Sequence, residues 1–155
     1  MKPTRSHKTF AQVILGILAL VALFFTLPAA AQVVGPNTLT VPASVAATTT
    51  NTTYASSNWV GTATQSQKVT LGVKFQLTST GTSAVVFKFD SSVDGVNWET
   101  ATHSITGTAA GTTPVNKLGT FDLGGAPYFR LSSIENPNAN AVTNISIRYS
   151  AKKGT

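Results

Sequence analysis

Apolar positions fall along this chain in three regimes. Val13 to Leu27 is an unbroken uncharged run of 15 residues (VILGILALVALFFTL), Gln32 to about Ser56 holds few large apolar groups, and from Asn58 onward apolar and polar residues alternate. In the third regime Val69, Leu71, Val73, Phe75 and Leu77 are interleaved with Thr70, Gly72, Lys74, Gln76 and Thr78. A period of two sends successive side chains to opposite faces of an extended backbone, so this stretch predicts a strand with one buried and one wet face. Val85, Phe87 and Phe89 repeat the pattern, and the turn-rich Ser79-Thr80-Gly81-Thr82 between them predicts that the two strands pair as a hairpin. Trp98 to Thr106, Val115 to Leu123, Tyr128 to Glu135 and Ile145 to Ser150 complete the set. They are separated by Gly107 to Thr113, by Gly124-Gly125-Ala126-Pro127 and by the Asn-rich turn from Asn136 to Asn140. No stretch after the first regime carries helical periodicity, so the expected fold is all-β: an antiparallel β-sandwich or jelly roll of about 6–8 strands.

The first regime predicts an N-terminal hydrophobic helix that serves export. Lys2, Arg5 and Lys8 precede the apolar run, Pro28 ends it, and Ala29-Ala30-Ala31 before Gln32 has the small-x-small form of a signal-peptidase site. A spanning helix needs roughly 20 apolar residues, more than this run supplies. Cleavage after Ala31 is therefore expected, the alternative being an uncleaved anchor through residues 10–34 with its basic end in the cytoplasm. Either way the remainder is exported, to be secreted, held at a cell surface or built into a virion. The organisation that follows is a signal peptide or anchor over 1–31, an extended arm or linker over 32–56, a β-domain over 57–151 and a basic tail over 152–155. An edge strand at Thr38 to Val41 is compatible with the arm's composition.

Composition narrows the chemistry. Loss of the leader leaves 124 of 155 residues, enough for one modest core, with eight bases against five acids, a balance of +3. The bases are scattered singly apart from the tail pair Lys152-Lys153, so no nucleic acid partner is expected. There is no cysteine, which excludes disulfides, thiolate metal sites and a cysteine nucleophile.

One local constellation stands out, Ser91-Ser92-Val93-Asp94-Gly95-Val96-Asn97-Trp98-Glu99. Asp94-Gly95 predicts a turn, because glycine accepts positive φ and the aspartate can receive backbone N–H groups of the same turn. Ser92, Asp94, Gly95 and Trp98 are thus expected to form a structural hairpin, with Trp98 re-entering the core. The S-x-D-G-x-x-W string resembles the Asp-box hairpin of sialidase-type propellers, which repeat it in several blades; a single copy implies a turn device. More widely, Lys68 to Ser150, with FKFDSSVDGVNW, YFRLSSIEN and NISIRYS, resembles small β-sandwich modules of phage virion and tail-associated proteins and of bacterial surface proteins. That resemblance implies a non-enzymatic role in assembly or attachment.

Other candidate sites rest on residue type. Asp90, Asp94, Asn97 and Glu99 put four oxygen donors within ten residues, but a hard cation needs six to eight, and the spacing matches no EF-hand loop. A self-capped turn is expected, with no metal and no cofactor. Trp59, Tyr128 and Arg130 are candidate contacts for a glycan, since sugar faces stack on aromatic rings. For catalysis, His103 lacks a G-x-S-x-G elbow, and the acids outside the hairpin, Asp122 and Glu135, offer no obvious pair across a cleft. The sequence therefore predicts a non-enzyme that forms a homo-oligomer or larger protein assembly through sheet edges and the extended arm. A carbohydrate-binding module is the alternative.

Overall fold

The computed structural model describes residues 33–52, 59–61 and 67–153. The expected leader helix and its cleavage point lie outside the described residues. Ten strands occur among those described: β1 (Val33–Leu39), β2 (Ser44–Val45), β3 (Thr49–Asn51), β4 (Trp59–Gly61), β5 (Gln67–Leu77), β6 (Val85–Ser92), β7 (Glu99–Gly107), β8 (Val115–Asp122), β9 (Tyr128–Asn136) and β10 (Val142–Lys153). They form two antiparallel sheets. The first has the order β1-β10-β5-β8 with β2 also on β10, the second β3-β9-β6-β7 with β4 also on β9.

Alternation in β5 and β6 does what its period dictates. Val69, Leu71, Val73, Phe75 and Leu77 are buried, as are Val85, Phe87 and Phe89. The two apolar faces look at each other across one core: the Phe75 and Phe87 rings lie 5.3 Å apart, and Phe129 of β9 meets Tyr149 of β10 edge-on at 5.4 Å. Each such side chain contributes roughly 1.5–3 kcal/mol on leaving water, so the face-to-face arrangement is the main source of stability.

The predicted pairing of these two strands as a hairpin is wrong. β5 pairs with β10 and β8, while β6 pairs with β7 and β9. Side by side, their apolar rows would share one face and still need a cover; in separate sheets each row covers the other. The connection through Ser79 to Ala84 therefore crosses between sheets. Thr80 forms an isolated bridge with Ala110, and Asn138 exchanges hydrogen bonds with the Ser83 backbone, donating to its carbonyl and accepting from its N–H, both at 3.0 Å.

The segment expected to be an extended arm or linker pairs with both sheets where it is described. β1 runs along the edge of β10, with Thr38 opposite Arg148 and Leu39 opposite Ile147; β2 follows on β10 and β3 on β9. Unpaired N–H and C=O groups along a sheet edge favour any chain long enough to satisfy them, and this chain is at hand. Among the described residues, pairing into the sheets accordingly begins at Val33, and β10 extends through Lys152 and Lys153 of the basic tail. The strand count rises above the expected range for the same reason.

Candidate functional site: the hairpin loop and the sheet edges

β6 and β7 are joined by the S-x-D-G-x-x-W loop, and its side chains close it. Ser92 Oγ accepts the N–H groups of Gly95 at 2.9 Å and Asp94 at 3.3 Å and donates to the Asn97 carbonyl. Asp94 Oδ1 accepts the N–H groups of Val96 and Asn97, each at 2.8 Å, and Oδ2 accepts the Asn97 amide at 2.7 Å. These bonds, led by those from the Asn97 and Val96 backbone, hold the Asp94 carboxyl far below the usual carboxylate range. Gly95 has φ +73, a conformation that side chains other than glycine's rarely adopt. The result is a rigid tip on which Val93 and Val96 are largely exposed.

Trp98 does not re-enter the core. It is half-buried, with the Arg130 guanidinium 4.1 Å from its ring centroid. Arg130 alternates with the core residues Phe129 and Leu131, and Asp90 follows the core residue Phe89, so this stack covers the outer face of the second sheet. Asp90 is 1% exposed; its Oδ2 accepts from Arg130 Nε at 3.1 Å and its Oδ1 from the Ala101 N–H at 2.8 Å. Sequence alternation cannot assign the tryptophan's face, because the loop between β6 and β7 resets the register.

The four oxygen donors considered for a cation are split by this geometry. Asp94 and Asn97 bond each other at the tip, while Asp90 is committed to Arg130 and Ala101 on the sheet face. Among the described residues no group of three or more metal-ligating side chains occurs. The glycan candidates fare differently: Trp59 stands opposite Arg130 and Gly61 opposite Tyr128 in the β4–β9 ladder, so the backbone does bring them together. The Arg130 guanidinium, however, is spent on Asp90 and Trp98. His103 stacks on Phe121 at 4.6 Å between ring centroids, and its burial lowers its pKa from the ordinary value, with Glu99 acting weakly in the opposite direction.

The sheet edges are the second feature. β1 is held to β10 by a main-chain ladder with a bulge between Val34 and Asn37. Residues 35–38 are exposed, and Leu39 is the buried anchor of the strand. Comparison of the chain with protein-family models and with curated proteins gave no match.

Proposed function

We propose that the protein is an exported, non-enzymatic β-sandwich module whose task is structural: copies associate with one another, or with a larger surface or virion assembly, through their sheet edges. One observation carries the reading. The strand β1 is attached by backbone hydrogen bonds and, among its described side chains, by the buried Leu39, so the seat it occupies on β10 is equally available to the same strand of a neighbouring copy. Exchange of β1 between copies keeps every ladder bond and converts a monomer into a chain or ring. The rigid tip with Val93 and Val96 supplies a further apolar contact at the far end of the β6–β7 hairpin.

A disulfide test suits a chain that has no cysteine of its own. Thr38 and Arg148 are register partners, so Thr38→Cys with Arg148→Cys places two thiols at bridging distance in whichever copy provides β1. After expression of the full chain and mild oxidation, exchange gives covalent dimers and higher ladders on non-reducing gels, with a native mass that is a multiple of the monomer. A purely intrachain bridge in a monomeric protein overturns the proposal.

A further inference from the structure

Charge is divided unevenly between the two sheets. The second sheet and its hairpin hold Lys88 and Arg130, both ion-paired, together with four of the five acids. The first sheet holds Lys68, Lys74, Lys117, Arg148, Lys152 and Lys153 against one acid, Asp122. Among the described side chains, Lys68, Lys74, Lys117, Arg148 and Lys152 make no ion pair. A net +3 that looks scattered along the sequence is therefore about +5 on the strands of one sheet and about −2 on the other; on the outer face of the first, Lys68, Lys74, Arg148 and Lys152 against Asp122 leave about +3, and a field of one sign over one face attracts polyanions.

The strand register shows how these charges are laid out. Lys74, Gly72, Thr70 and Lys68 alternate with the buried residues of β5, so they line its outer face. Arg148 stands opposite Gly72, and Lys152 stands opposite Lys68. From Lys74 to Lys68 the strand rises about 20 Å, which makes the bases a line and not a point. Lys68 stands between Lys152 on β10 and Asp122 on β8, so the base without an acid beside it at that end of the line is Lys152. Over part of this face runs an open groove of about 910 Å³ lined by the bases Lys74 and Arg148; Lys117, opposite the core residue Val73, turns its side chain to the inner side against Gly107. Gly72 is its floor, Leu118, 80% exposed, is one wall, and Asn116, Asn144 and Ser146 supply neutral hydrogen-bonding groups.

We infer that this face is a binding surface for an acidic polysaccharide, its carboxylate or sulfate groups paired with the line of bases and its hydroxyls with the asparagine and serine groups. Single-stranded nucleic acid is the polyanion that the face suits less well, because base stacking needs exposed aromatic rings. Tyr149, the aromatic residue at the groove, packs edge-on against Phe129. The groove reaches both edge strands of the first sheet, taking Leu118 from β8 and Pro36 from β1, but the inference does not rest on the exchange of β1 between copies.

The test uses protein recovered after expression of the full chain. Titration with polygalacturonate oligosaccharides is followed by amide chemical shifts, and affinity is measured between 50 and 300 mM salt. Shifts are expected at Gly72, Lys74, Leu118 and Arg148 and not at Lys88 or Glu135. The Lys74→Gln/Arg148→Gln variant should bind about tenfold more weakly, with a salt slope shallower by about 2. Thr100→Glu/Thr106→Glu, which removes the same net charge at exposed positions of β7, should change affinity less than about twofold. Equal losses in both variants, shifts spread over both sheets, no binding at 50 mM salt, or tighter binding of single-stranded DNA than of polygalacturonate would each overturn the inference. The shift map on the unaltered protein decides the matter even if a variant does not fold.

Discussion

At the scale of single residues, the least replaceable polar group is Asp90. Its carboxylate is almost wholly buried on the outer face of the second sheet, where Arg130 and the Ala101 N–H take the place of water and the Trp98 ring lies over the Arg130 guanidinium. Ala101 adopts φ +53, a costly backbone state for alanine, which the hydrogen bond to Asp90 helps to hold. Removing one partner of a buried ion pair leaves an uncompensated charge, which costs far more than the pair itself is worth. Arg130→Met is therefore expected to lower stability by about 3–5 kcal/mol in urea unfolding. Adding Asp90→Asn, which keeps an acceptor for Ala101 and removes the charge, should restore a kcal/mol or more of that loss. A loss below about 1 kcal/mol for the single variant, the range of exposed pairs, would mean that the carboxylate is solvated after all.

At the scale of elements, the seat of β1 depends on Gly35. It has φ +125, and a Cβ added there would lie 2.8 Å from the Tyr149 carbonyl oxygen, closer than two unbonded atoms approach. Gly35→Ala should cost about 1–3 kcal/mol of local stability and peel β1 from β10. Hydrogen exchange reads this directly: β10 amides that face β1 should exchange about tenfold faster or more, while those paired with β5 keep their protection. Unchanged protection on the β1 side would contradict the seat described here. The same segment marks the limit of what patterning conveys. β5 and β6 were legible because large apolar residues at period two have one way to be buried. Their partners were not, because alternation fixes faces and leaves neighbours open. β1 to β3 carried no signal beyond Thr38 to Val41, since threonine, asparagine and proline side chains attached through backbone bonds leave no periodic trace. The hairpin tip was legible down to Asp94 receiving its own backbone, a local property of Asp-Gly. The face of Trp98 and the partner of Asp90 were not, because both depend on register across β6, β7 and β9.

At the scale of the whole molecule, one core serves both sheets, and with no disulfide or metal-ligand cluster among the described residues it must hold the fold by packing. The inner rows are complementary in a specific sense: Phe87 of the second sheet rests on Phe75 of the first, and Phe89 on Phe121. Neither sheet has a second apolar layer to retreat to, because their outer faces carry the Asp90–Arg130 stack on one side and the line of bases on the other. Unfolding of either should expose the other, which makes the pair a single cooperative unit. Phe87→Ala, which opens a cavity at the junction, is expected to lower stability by about 3–5 kcal/mol. The loss should appear at the same urea midpoint for Trp98 fluorescence, read in a Trp59→Phe background as a reporter of the second sheet, and for amides of β5 such as Val73 in the first. The urea slope should be unchanged, because the surface exposed on unfolding is the same. Separate midpoints would mean that each sheet keeps its own stability. The basic face would then ride on a layer that can open alone, and polyanion binding would protect β5, β8 and β10 without raising the Trp98 midpoint.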